Sequence, residues 1–364
     1  MQLSLHLTNK CNLNCKYCFV EHGTERMTKE VAFAAVKLGM KNTNTSGLLF
    51  YGGEPLLERQ LIYDTVDYAK RTKKKKDAGH TFFYKMTTNG MLLDEEFLKF
   101  SKEANLTIGF SHDGPAQDDC RLLPDGSGTY TMLKDKIPLL LKYQPYAVGM
   151  SVVDPTTVHK MAAIVEFLYE KGFKYITLSL NYSTDAPWTN QHLSIIESEY
   201  KKLAEMYIRL TRAEEKFYFS PFDMKILSHL KGEKYHVDRR LMAKNQPSVA
   251  PNGKIYASSK FLGNSMFEIG DVFSGIDAEK EQKLFEEGAI LTGLCPECAL
   301  KYRCNYAYDS WGLSPMQCAH EQLITPIADY VAETLYKERN ALFIHKHYNE
   351  MYPFVSLVED TSLG

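Results

Sequence analysis

The stretch QLSLHLTNKCNLNCKYCF, residues 2–19, sets a short apolar-alternating run directly before three cysteines, Cys11, Cys15 and Cys18, spaced C-x3-C-x2-C. Leu3–Leu7 reads as a strand and the cysteines as the loop leaving it. Loops at the carboxyl ends of strands are where parallel α/β sheets carry their chemistry. The same arrangement recurs downstream. Further strand candidates are Leu48–Tyr51, Thr81–Met86, Leu106–Ser111, Ala147–Val153 and Tyr175–Leu180, rich in β-branched and aromatic residues. Between them, apolar residues take helical spacing over about Lys29–Met40, Arg59–Lys70, Asp94–Glu103, Tyr130–Leu141 and Thr157–Glu170. Strands alternating with helices predict an α/β fold with right-handed crossovers, a partial (β/α)6 barrel of TIM type. After the second strand comes Gly52-Gly53-Glu54-Pro55, after the third Thr87-Thr88-Asn89-Gly90, and across the end of the fourth Ser111-His112-Asp113-Gly114-Pro115.

A long helix over about His192–Arg212 closes this half, and from about Glu215 the alternation ends. Pro251-Asn252-Gly253 reads as a hairpin turn, a cysteine-rich loop runs from Leu294 to Cys318, and Pro326 leads into a last amphipathic helix, about Ile327–Leu342. These shifts divide the chain into a barrel (1–214), a smaller auxiliary domain (215–324) and a terminal helix and tail (325–364). With 364 residues, 44% apolar and 24% charged, it can bury a substantial core. A net charge of −2 supplies no general field for a polyanion, so nucleic acid is not the expected partner. No signal peptide opens the sequence and no stretch reaches the ~18 apolar residues of a membrane span. A cytoplasmic protein with no membrane partner is expected.

The cysteines fall at 11, 15 and 18, at 120, and at 295, 298, 304 and 318. Such clustering suits metal sites better than a disulfide framework. Three thiolates on one loop can hold three corners of a [4Fe-4S] cube and leave the fourth iron open. A structural zinc would need a fourth ligand, and His6 is the one histidine ahead of the motif. Cys295, Cys298, Cys304 and Cys318 supply four thiolates, enough to saturate a cube or a tetrahedral zinc, and their spacing does not choose between them.

The run CNLNCKYCF, residues 11–19, resembles the signature of the radical S-adenosylmethionine (SAM) superfamily, and the loops after the next strands extend the resemblance over the first half. It implies a [4Fe-4S] cluster on Cys11, Cys15 and Cys18 whose open iron is chelated by SAM, and reductive cleavage of SAM to a 5'-deoxyadenosyl radical. By the same resemblance Tyr17 lies near the adenine and Gly52, Gly53 and Glu54 bind the SAM amino group. Asn89, Ser111, Asp113 and Arg121 match polar positions near the ribose and carboxylate, and Leu180 packs on the adenine. The tail is similar to the SPASM or twitch auxiliary-cluster domains of peptide maturases and anaerobic sulfatase-maturating enzymes, which implies a second [4Fe-4S] cluster on Cys295, Cys298, Cys304 and Cys318. It departs from the full SPASM pattern. Ser258 stands where a cysteine follows the hairpin glycine, Gly253, no cysteine lies between Cys120 and Cys295, and Tyr308 replaces a cysteine beyond the C-x2-C-x5-C run. All these losses fall on one cluster, so two clusters in total are expected. Ser259 occupies the place of the acidic residue of a sulfatase-maturating enzyme.

The resemblance therefore implies a radical SAM oxidoreductase that modifies a ribosomally made precursor peptide. A thioether cross-link is the first expectation, with carbon–carbon cross-linking or epimerisation behind it. The implied partners are the peptide and an electron donor such as flavodoxin or ferredoxin; with ten residues ahead of Cys11, the leader is expected to be recognised either by a separate leader-recognition protein or by the barrel and tail. Rival readings are sulfatase maturation, small-molecule radical chemistry and a non-catalytic zinc-loop binding protein. Cys120, the Lys70–Lys76 segment and His112 read mainly as structural or solvated groups, while Tyr182, Trp188, Tyr256 and Tyr308 are cavity candidates by proximity alone.

Overall fold

Leu3, Leu5 and Leu7 alternate with Ser4 and His6, which makes the first strand two-faced, and the computed structural model realises it as β1 (Gln2–His6). The structure describes residues 1–41, 44–76, 79–183, 185–232, 246–288, 290, 293–304 and 315–349. Tyr308 lies outside them. After β1 come β2 (Asn14–Cys15), β3 (Thr45–Tyr51), β4 (Thr81–Thr88), β5 (Leu106–Ser111), β6 (Arg121–Leu122), β7 (Val148–Val153) and β8 (Tyr175–Leu180). Then follow β9 (Tyr218–Phe219), β10 (Ser248–Val249), β11 (Lys254–Tyr256), β12 (Glu268–Asp271) and β13 (Gly275–Ile276).

Eleven of these strands form one sheet in the order β13-β12-β11-β10-β1-β3-β4-β5-β7-β8-β9, and β2 pairs with β6. β1, β3, β4, β5, β7 and β8 are parallel neighbours. They are the six strands that the patterning predicts. Helices Lys29–Gly39, Arg59–Lys76, Glu95–Ala104, Lys136–Tyr143 and Met161–Glu170 connect them. In register, Leu5 lies beside Phe50, Phe50 beside Met86 and Met86 beside Ile108, all fully or nearly fully buried. Burying each such side chain contributes roughly 1.5–3 kcal/mol. The alternate positions, among them Ser4, His6, Lys85, Thr87, Thr107 and Thr177, give the other face a polar character.

Past Glu215 the pattern does not end as the sequence suggests. β9 adds a parallel strand beside β8, with Tyr175 and Tyr218 stacked at 4.5 Å, and leads into helix Ser220–Lys231. Two residues are too few for periodicity to show. On the opposite edge β10 pairs parallel with β1 and turns into β11 at the predicted hairpin, where Gly253 takes φ +92°. β12 and β13 continue antiparallel from there. The last long helix corrects an expectation: it runs Pro315–Lys337 with Pro326 inside it. An interior proline costs a helix about 3 kcal/mol, but burial of Ile324, Ala328, Val331 and Leu335 on both sides of it outweighs that. Among the described residues no helix is long and apolar enough to cross a membrane.

Candidate functional site

The cysteine loop leaves β1 and is tied down at both ends. Near its start, Gly53 N–H donates to the Thr8 carbonyl and Glu54 N–H to the Lys10 carbonyl, each at 2.8 Å. Further on, Cys15 pairs with Arg121 in the β2–β6 ladder, and the Lys16 N–H donates to the Cys120 carbonyl at 3.0 Å. A Cβ on Gly53 would lie 2.1 Å from the Lys10 oxygen and one on Gly52 2.4 Å from the Thr8 oxygen. The two glycines thus admit the cysteine loop itself.

Glu54 is fully buried and saturated. Its carboxylate accepts from Thr88 Oγ1 at 2.7 Å, from Asn89 N–H at 2.8 Å and from Leu56 N–H at 3.0 Å, so it locks the loop after β3 to the loop after β4. Burial nevertheless pushes its pKa up to about 7, against the pull of those donors. Asn89 carries the lock on to the cysteines: its amide donates to Asn12 Oδ1 at 2.8 Å and reaches Cys11 Sγ at 3.7 Å.

Asp113 is the second hub. It accepts from Arg121 Nε at 3.0 Å, Ser151 Oγ at 2.9 Å and Val152 N–H at 3.1 Å, and also from the Tyr17 hydroxyl. The Arg121 guanidinium stands 5.3 Å from the centre of the Tyr17 ring. Tyr17, half-buried on the loop itself, and the buried Arg121 therefore meet on the buried Asp113 as one cluster. Burial raises the Cys15 and Cys18 thiols, and Arg121 opposes it at both. Burial also lifts Cys11 to about 12.

Three soft donors on one partly buried loop, hard to ionise alone, fit a group that supplies its own positive charge, as iron would. Among the described residues no three His, Cys, Asp or Glu side chains meet closely enough to hold a single ion. A four-iron cube asks for something else, one thiolate at each iron.

Ser111 lies in register with Met150, on the polar face of β5. Leu180 alternates with Ser179 and shares the apolar side of β8 with Ile176 and Leu178, within the buried core. Cys120 is buried. His112 stacks on Phe167 at 5.3 Å and accepts from Gly114 N–H, apart from its neighbour Asp113. The Tyr182 hydroxyl meets His320 Nδ1 at 2.6 Å, Trp188 Nε1 donates to the Asn181 carbonyl at 2.6 Å, and Tyr256 is buried on β11. Lys73 belongs to the end of helix Arg59–Lys76.

In the second group, Cys295, Cys298 and Cys304 follow one another on tight turns, with Cys298 N–H donating to the Cys295 carbonyl and Cys304 N–H to the Leu300 carbonyl. Cys318 lies in the first turn of helix Pro315–Lys337. All four thiols are partly exposed, and four soft donors are the set that a second cube asks for. Sequence reasoning missed the residues around them. Arg303 bonds Asp329 through both terminal nitrogens, and Lys225 pairs with Glu321. No local motif marks such pairs.

A parallel α/β barrel with a three-cysteine loop at the carboxyl end of its first strand defines a cofactor-binding enzyme domain. Residues 5–168 match the Radical SAM superfamily. The chain carries a radical SAM domain and is an enzyme. It is 28% identical over 182 residues to the cysteine-type anaerobic sulfatase-maturating enzyme of Clostridium novyi, a match covering 46% of this chain and about half, 48%, of that one. The structure of anSMEcpe with bound AdoMet is similar at TM-score 0.79 and 19% identity, covering 93% of this chain and 99% of that one. Streptococcus suis SuiB bound to precursor peptide SuiA is similar at TM-score 0.56 and 13% identity, over 84% and 71%. At these identities the two structures speak for the fold.

Proposed function

We propose that this chain is a radical SAM peptide maturase, with SAM and a [4Fe-4S] cluster at Cys11, Cys15 and Cys18 and a second [4Fe-4S] cluster at Cys295, Cys298, Cys304 and Cys318. The observation that carries the reading is the three-thiol loop, clasped by Tyr17, Asp113 and Arg121 at the carboxyl rim of a barrel with a polar inner face. When bound, the cluster and SAM together supply a 5'-deoxyadenosyl radical able to take a hydrogen atom from the substrate.

The chain's own residues do the holding. Arg121 and Asp113 fix the turn at Cys15, and Glu54 fixes the loop behind Cys11 through Asn89. Asn89, Gly52, Gly53, Tyr17 and Ser111, with Glu54, Asp113 and Arg121, remain the proposed SAM contacts. Asn89 is best supported because its amide already touches Cys11 Sγ. Leu180 is the least supported, since its strand face is turned to the core. The barrel interior shields the reacting centre from water.

The substrate is a precursor peptide, and a thioether is the bond proposed. Solved relatives in the same fold include anSMEcpe with the Cp18Cys peptide and SuiB with SuiA. An electron donor such as flavodoxin or ferredoxin, a separate leader-recognition protein and the division at 214 and 324 belong to the same proposal. Sulfatase maturation is the second reading, favoured by the likeness to the Clostridium novyi enzyme. Ser259 in place of an acidic group argues against it.

Anaerobic reconstitution with iron and sulfide is the test. About eight irons per chain are expected, with 5'-deoxyadenosine formed on reduction with SAM. Alanine at Cys11, Cys15 and Cys18 together should leave about four irons and no 5'-deoxyadenosine. Continued SAM cleavage by that variant would refute the assignment. Incubation with short cysteine-containing peptides encoded near the gene, against a sulfatase-derived peptide, separates the two substrate readings by mass change.

A further inference from the structure

Cys304 and Cys318 are separated by thirteen residues and belong to different elements, a turn and a helix. Bringing them together costs loop-closure entropy unless something other than a metal already joins those elements. Two polar clasps do so. Arg303, the residue before Cys304, donates through Nη1 to Asp329 at 2.8 Å, through Nη2 to Asp329 at 2.5 Å and to the Lys225 carbonyl at 3.2 Å, and through Nε to Ser228 Oγ at 3.1 Å. Lys225 returns the contact, its Nζ donating to the Arg303 carbonyl at 3.1 Å and to Glu321 at 2.5 Å, with both side chains only 3% exposed. Asp329 and Glu321 lie on the helix that carries Cys318, while Lys225 and Ser228 lie on Ser220–Lys231. His320 on the cysteine-bearing helix is in turn held between the Tyr182 and Tyr200 hydroxyls, at 2.6 and 2.7 Å, just past β8 and on helix Asn190–Arg212.

We infer that Arg303 with Asp329, and Lys225 with Glu321, are positioning residues that assemble the second cysteine group against the barrel before any cluster is loaded. The inference rests on the proposed second cluster. A planar guanidinium suits the task because one side chain ties a turn to two helices at once, and a point-charge lysine at 303 could not reproduce the fork. The Lys225–Glu321 pair is the buried counterpart, closed to solvent and satisfied on both sides.

The experiment loads iron and sulfide into the chain bearing alanine at Cys11, Cys15 and Cys18, which isolates the second group at about four irons. Adding Arg303→Met or Asp329→Asn should lower the iron retained to less than half and speed its loss to a chelator about tenfold, the size typical for groups that orient metal ligands. Arg303→Lys should fall between. In the otherwise unsubstituted chain, the same Arg303→Met change should leave the electron paramagnetic resonance signal of the first cluster intact and lower that of the second to less than half, which a general loss of folding would not do. Lys225→Met combined with Glu321→Leu removes both buried charges together, a change that cores often tolerate, and should weaken iron retention while the circular dichroism spectrum stays that of a folded chain. Wild-type iron retention and release in all these variants would overturn the inference alone. A parent chain that binds about four irons rather than about eight would instead remove the second cluster, and the inference with it.

Discussion

A β-carbon on Gly53 would press on the Lys10 carbonyl oxygen at 2.1 Å, a backbone atom that cannot swing aside. Gly53→Ala is expected to cost about 1–3 kcal/mol, the range for overpacking, and to lower iron at the first site. Urea unfolding together with iron analysis checks both. At Glu54 three donors converge on one carboxylate, so Glu54→Gln would aim an amide NH2 at an N–H or O–H. A loss of about 1–3 kcal/mol follows from one unsatisfied buried group, and the same unfolding curves would reveal it. The Gly-Gly-Glu-Pro run could be picked out in sequence, but what it packs against could not. The resemblance gives its glycines to the SAM amino group, and the register of β1 with β3 also sets them close against residues 8–10.

At the scale of elements, the two-residue ladder of β2 with β6 holds the cysteine loop to the fold. Arg121→Met would leave Asp113 buried, with its charge uncompensated. Breaking such a pair costs about 3–5 kcal/mol, and the expected result is a lower urea midpoint with iron lost from the first site before the second. Equal loss from both sites would show that the ladder is not specific to the first loop. The six long strands could be read from patterning because each repeats its alternation several times. β2, β6 and β9 could not, since two residues carry no period. Pro326 misled for a related reason: a local helix-start signal was overridden by burial along the whole of Pro315–Lys337.

Over the whole molecule, buried neutral histidines set the response to acid. Burial pushes His6 and His320 down to about 3, His112 down to about 4 and His347 well below its usual value. The unfolded chain takes up these protons near pH 6.5 and the folded chain does not, so stability falls as pH drops below about 6.5, by up to roughly 1.4 kcal/mol per unit for each histidine. Glu54 works in the opposite sense. With its pKa raised to about 7, the folded state binds a proton that the unfolded state lacks between about pH 4.5 and 7, and stability from this group declines as pH rises through that window. Several histidines outweigh one glutamate, so the apoprotein should lose on the order of a few kcal/mol between pH 7 and 5. A urea midpoint unchanged over that range would contradict the burial. By itself the sequence determined the alternating strands and helices, both cysteine groups and the loops after each strand, because periodicity and motif spacing are properties of a few neighbouring residues. Only the tertiary structure decided that Tyr17 and Arg121 share Asp113, ninety-six residues beyond Tyr17, that Glu54 closes on Asn89, and that Arg303 clasps Asp329. Those contacts depend on strand register and helix packing, which the chain settles collectively and no local stretch encodes.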